Sequence, residues 1–100
     1  MFFFNKTIIN DAVEEYRNTP GTVLLDVREA DEFRSGHIPG AVNVPLSAIE
    51  QVKLAKDKPL CVYCLRGTRS KQAVSYLKRM GYQNVRSIGG ITSYKGQVER

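Results

Sequence analysis

One hundred residues, 42% hydrophobic and 25% charged, match one globular domain with one core spanning 1–100 and leave no room for a second. The net charge of +5 comes from lysines and arginines scattered from Lys6 to Arg100 without interleaved aromatics, which argues against nucleic acid and for a general attraction of small anions. Phe2-Phe3-Phe4 is too short and poorly flanked for a signal peptide or membrane span and reads as a strand or lid on the core, and two cysteines without an export signal point to the reducing cytoplasm.

Apolar runs alternate with segments of helical period, the pattern of an α/β domain with a mainly parallel sheet. A short strand is expected near Lys6 to Ile8. Asn10 is expected to cap a helix whose apolar face is Ala12, Val13 and Tyr16 and which stops before Pro20-Gly21. Val23-Leu24-Leu25 reads as a strand buried on both faces and ending at Asp26, and Glu29 to Arg34 as a short helix closed by Gly36. After the Pro39-Gly40 turn, Ala41 to Val44 forms a third strand that Pro45 terminates. A short helix over Ser47 to Val52 leads to a fourth strand, Leu60-Cys61-Val62-Tyr63, with Cys64 at its carboxyl end. From about Ser70 the positions Ala73, Val74, Leu77 and Met80 trace one helical face, with Lys78 and Arg79 in the last turn and Gly81 as the stop. A fifth strand over Val85 to Ile88 and a short helix after Gly89-Gly90 complete the order.

Ligands of open α/β sheets bind outside the carboxyl ends of the strands, and the loop from Cys64 to Arg69 lies there, just before a helix. A thiol acts as a nucleophile only when ionised. The helix dipole, inward-turned loop amides and the guanidinium groups of Arg66 and Arg69 would all favour the thiolate, so no histidine is required as base. Gly67 permits the unusual φ that such a tight nest of amides demands.

Cys64-Leu65-Arg66-Gly67-Thr68-Arg69-Ser70 resembles the active-site loop of the rhodanese family. Leu24 to Glu29 followed by Glu32-Phe33, and Gly36-His37-Ile38-Pro39-Gly40 through Pro45, are similar to that family's two upstream stretches, and Gly81-Tyr82 with Gly89-Gly90 to its downstream ones. The resemblance runs from about residue 6 to the end. It implies a three-layer α/β/α domain with a five-stranded parallel sheet, order 3-2-4-5-1 in chain numbering. It also implies a sulfurtransferase in which Cys64 takes a sulfane sulfur from thiosulfate or a persulfide and passes it, as a Cys64 persulfide, to cyanide or a thiol. On this resemblance Leu65, Arg66, Gly67, Thr68, Arg69 and Ser70 form the substrate-binding loop, the amides holding the sulfur and the two arginines the donor's oxyanion. No metal or cofactor takes part, and the partners are small donors and acceptors or a thiol-bearing protein, with neither nucleic acid nor membrane. Two departures stand out: Tyr94 sits where many relatives have tryptophan, in a last helix whose edge is expected to be thin, and the apolar Leu65 beside the nucleophile leaves the preferred donor open.

Cys61 and Cys64 have Cys-x-x-Cys spacing, but Cys61 lies inside a strand, where i and i+3 point to opposite faces, so Cys61 is expected to pack in the core rather than form a redox pair. Two cysteines and one histidine fall short of a zinc site. His37, Asp26 and Arg28 are read chiefly as scaffold, the last two as an internal ion pair or loop anchor, with Glu32 of similar status. Ser70 is read as a donor to the bound anion, a helix cap, or both; Lys71, Lys78 and Arg79 as a solvated face. Three other functions compete: a phosphatase or arsenate reductase, which would need five rather than four residues between Cys64 and Arg69; a non-catalytic binding module, which usually lacks the cysteine; and a persulfide relay serving one partner.

Overall fold

Successive side chains of a strand point to opposite faces of its sheet, and that parity divides the core of this chain in two. The computed structural model describes residues 8–100. Among them β1 (Val23–Asp26), β2 (Val42–Asn43), β3 (Leu60–Cys64) and β4 (Val85–Gly90) form a parallel sheet in the order β2-β1-β3-β4. Leu25, Leu60, Val62 and Cys64 lie on one face with Ala73 and Leu77 of α3 (Thr68–Arg79) and Ile49 of the 3-10 segment Leu46–Gln51. Leu24, Cys61, Tyr63 and Ile88 lie on the other with Ile9, Ala12 and Val13 of α1 (Ile8–Arg17). Helices thus cover both faces and bury all five residues of β3, which is why that run shows no polar alternation.

Several expectations need correction. The sheet is four-stranded over the described residues, not five-stranded in the order 3-2-4-5-1; the difference is the strand expected at 6–8. Residues 6 and 7 lie outside the described residues, as does Phe2-Phe3-Phe4, and Ile8 belongs to α1. Asn10 is inside that helix rather than capping it. Its amide clasps the far end of the chain, Nδ2 donating to the Lys95 carbonyl at 2.7 Å and Oδ1 accepting from the Lys95 amide at 2.8 Å. The third expected strand shrinks to Val42–Asn43, and α3 begins two residues before Ser70, directly after Gly67. The last expected helix is the single 3-10 turn Ile91–Ser93.

The carboxyl end of β1 is anchored by a buried ion pair. Arg28 donates through Nε to Asp26 Oδ1 at 3.0 Å and through Nη2 to Oδ2 at 2.7 Å, and Nη2 also reaches the Gly36 carbonyl at 2.8 Å. The Asn43 amide then ties β2 to the Asp26 and Arg28 carbonyls, both at 2.9 Å. This knot fixes α2 (Ala30–Ser35), which follows β1, beside the carboxyl edge of the sheet.

Candidate active site

Cys64 closes β3, and the chain must turn at once to send α3 back along the sheet. Gly67 makes that turn with φ of +105°, a left-handed conformation that costs glycine little. Because Gly67 is also the residue from which α3 springs, the first amides of the helix point back at the sulfur: Gly67 N–H lies 3.0 Å and Ser70 N–H 3.3 Å from Cys64 Sγ. Burial by itself pushes the Cys64 thiol up, but the Ser70 amide and hydroxyl and the Gly67 and Arg66 amides together outweigh it and hold the thiol below its ordinary value. The arrangement stabilises negative charge on sulfur without a histidine.

A second tier of bonds sets the cradle. The buried Ser70 hydroxyl donates to the Gly67 carbonyl at 3.0 Å and shares a 2.7 Å hydrogen bond with the Ser87 hydroxyl of β4. Ser87 can reach it because β4 bulges: Val62 pairs with Ser87 but Tyr63 with Gly89, so the extra residue, Ile88, turns to the α1 face and Ser87 stays toward α3. The chain then passes so close under the loop that a Cβ on Gly90 would stand 2.3 Å from the Leu65 carbonyl oxygen and 2.5 Å from Arg66 Cα. Thr92 grips the same carbonyl through its amide at 3.2 Å and its hydroxyl at 3.1 Å. On the opposite flank Arg69 is forked onto Glu32 of α2, Nη1 to Oε1 at 2.7 Å and Nη2 to Oε2 at 2.9 Å.

Residues 10–97 match the Rhodanese-like domain. The chain belongs to the rhodanese family. It is 42% identical over 72 residues to the thiosulfate sulfurtransferase GlpE of Pseudomonas savastanoi pv. phaseolicola, covering 70% of this chain and 68% of that protein. It is 39% identical over 79 residues to the uncharacterized protein YqhL of Bacillus subtilis, covering 76% of this chain and 63% of that one. Among solved structures, a rhodanese with anions from E. coli superposes with a TM-score of 0.72 at 29% identity, covering 79% of this chain and 98% of that one. Against longer curated relatives the chain spans only 24% to 28% of their length.

Within this rhodanese domain the expected site residues divide into groups. Cys64, Gly67 and Ser70 converge on the sulfur, Ser70 at the third position of α3 and bonding back to Gly67 rather than capping the helix from outside. Leu65 supplies the carbonyl that the segment after β4 holds, while Arg66 and Thr68 stand exposed at the rim. Arg69 is near Cys64 but spends its guanidinium on Glu32. Cys61 is buried on the opposite face from Cys64, so the two thiols cannot meet on one ligand or in one bond. His37 is stacked on Phe33 with ring centroids 3.7 Å apart, its Nδ1 is 2.9 Å from the Phe33 carbonyl, and its own backbone is paired with Glu99. Ser87 and Thr92 were not legible as site residues: nothing local marks them, and the bulge that aims Ser87 depends on the pairing of two distant strands. Glu32 had one usable signal, an acid placed three residues after Glu29 opposite a basic loop; the Glu29 amide donates to it at 2.9 Å.

Proposed function

We propose that this chain is a sulfurtransferase in which Cys64 is the nucleophile and sulfur carrier. The observation that supports this best is the pair of amides, Gly67 and Ser70, directed at Sγ from the start of α3. The thiolate attacks the outer sulfur of thiosulfate; the new S–S bond forms as the old one breaks, and sulfite leaves with the bonding pair. The Cys64 persulfide then gives that outer sulfur to cyanide, forming thiocyanate, or to a thiol, forming a new persulfide, and the Cys64 thiolate returns. In this reading the amides of Leu65 to Ser70 line the place of the transferred sulfur and Arg66 meets the donor's anionic end. The chemistry calls on no cofactor, and the partner is a small donor or acceptor or a protein thiol in the cytoplasm. Among the described residues no helix is long and apolar enough to cross a membrane.

Intact mass spectrometry tests the proposal. Wild-type protein treated with thiosulfate should gain about 32 Da, one sulfur atom, lose it again to cyanide, and the folded Cys64→Ser variant should gain nothing. Equal gain in that variant would move the chemistry elsewhere; no gain from thiosulfate or from glutathione persulfide would leave a binding module.

A further inference from the structure

The two arginines of the loop are held in different states. Arg66 is exposed, and its guanidinium has no hydrogen bond or ion pair among the described residues. Arg69 is engaged on both sides of its fork by Glu32, in a pair whose side chains are 30% and 26% exposed. Glu32 is itself fixed, because Oε1 also accepts the Glu29 amide. Arg69 lies within electrostatic reach of Cys64, and Glu29 as well as Glu32 acts on it. Both carboxylates thus act on Arg69, although the chain as a whole carries +5.

Resting on the sulfurtransferase reading, we propose that Glu32 determines donor preference: by holding Arg69 it leaves Arg66 as the loop's uncompensated guanidinium, which favours organic persulfides over the thiosulfate dianion. Thiosulfate enters and sulfite leaves with two negative charges each. To enlist Arg69, either ion must displace a carboxylate already seated in the bidentate geometry a guanidinium prefers. An organic persulfide asks less. The Cys64 thiolate attacks the outer sulfur of RS–SH, the Cys64–S–SH bond forms, the RS–S bond breaks, and RS⁻ departs with the bonding pair; the proton stays on the transferred sulfur and no oxidant is consumed. One charge develops on the leaving thiolate, and the one uncompensated guanidinium of the loop, that of Arg66, matches it. The half-buried Leu65 adds hydrocarbon at the same rim, which suits an organic group.

The test measures kcat and KM for thiosulfate and for glutathione persulfide. In the Glu32→Gln variant, of equal size but uncharged, the ratio of kcat/KM for thiosulfate to that for the persulfide should rise on the order of tenfold, chiefly through a lower thiosulfate KM, about the worth of one charge-assisted hydrogen bond. Adding Arg69→Gln should cancel the rise. A ratio that stays within about twofold, or both donors losing alike, would mean that Glu32 only braces the loop. Should Glu32→Gln fail to fold by circular dichroism, the single variants decide: Arg66→Gln should raise the thiosulfate KM more than Arg69→Gln does, and the reverse order overturns the proposal. Wild-type protein that gains sulfur from neither donor defeats the sulfurtransferase reading itself, whereas a sulfurated wild type with an unmoved ratio defeats only the role of Glu32.

Discussion

At Cys64 two opposing effects meet, and the hydrogen bonds of the loop outweigh burial. Burial penalises the thiolate, while the amides of Ser70, Gly67 and Arg66 and the Ser70 hydroxyl favour it more. The rate of alkylation by iodoacetamide, with Cys64→Ser as the blank, should therefore rise with a midpoint below the ordinary thiol value of 9.0. A midpoint at or above that value would mean the loop does not stabilise the anion. The same shift links to stability. Because the folded-state pKa is the lower one, the thiolate's stabilising contribution is complete above the unfolded value and is lost as pH falls through the folded value. Wild type should thus gain on Cys64→Ser in a urea titration as pH is raised from 6 to 9 (chosen as roughly spanning the thiol range). The geometry of the loop that holds Cys64 was legible in the sequence because it is built from local features: a cysteine after an apolar run, a glycine where φ must turn positive, a helix beginning behind them. The pairing of Arg69 was not, since Glu32 stands 37 residues away and only the docking of α2 brings it near.

At the scale of elements, β4 and the turn after it form the floor on which the loop rests. Gly90 adopts an ordinary extended conformation, φ −123°, so its need for glycine comes from closeness alone. In Gly90→Ala the new methyl would press on Leu65 and Arg66 backbone, which has no soft direction to yield. That variant should lose about 2 kcal/mol or more in urea unfolding and most of its sulfur transfer together, as overpacked sites do; normal kinetics would show that the loop has slack. The knot after β1 makes a different prediction. Arg28 is 3% exposed and Asp26 fully buried, so among the described residues Asp26→Ala leaves the buried guanidinium the Gly36 carbonyl as its one hydrogen-bond acceptor, beside the Tyr63 ring 5.8 Å away. The cost should be about 3–5 kcal/mol by urea unfolding, and a loss under about 1 kcal/mol would show that water reaches the site. Strands β1 and β3 and helix α3 could be read in advance because burial on both faces and a 3.6-residue period are written locally. The brevity of β2, the bulge at Ile88 and the role of Asn10 could not, because each is settled by a partner far along the chain.

Taken whole, the domain is two half-cores separated by one sheet, and its two thiols fall in different halves. Cys61 packs with Ile9, Val13 and Tyr63 under α1; Cys64 packs with Ala73 and Leu77 under α3. Cys61→Ser, if folded, should keep most sulfur transfer in the mass assay and the kinetics; complete loss in a folded variant would revive a dithiol mechanism. Three residues of extended chain separate the pair by about 10 Å, with the sheet itself between their side chains. A persulfide can be discharged internally when a neighbouring thiolate attacks its inner sulfur: the disulfide forms as the bond to the outer sulfur breaks, and that sulfur, reduced as the thiol is oxidised, leaves as hydrosulfide. Here that exit is walled off, and the chain contains no third cysteine. Under the proposed function, a sulfur loaded on Cys64 has no second thiol of this domain within reach to discharge it: it waits until another molecule or segment collects it, so the lifetime of the loaded form is set by the company the domain keeps rather than by the domain.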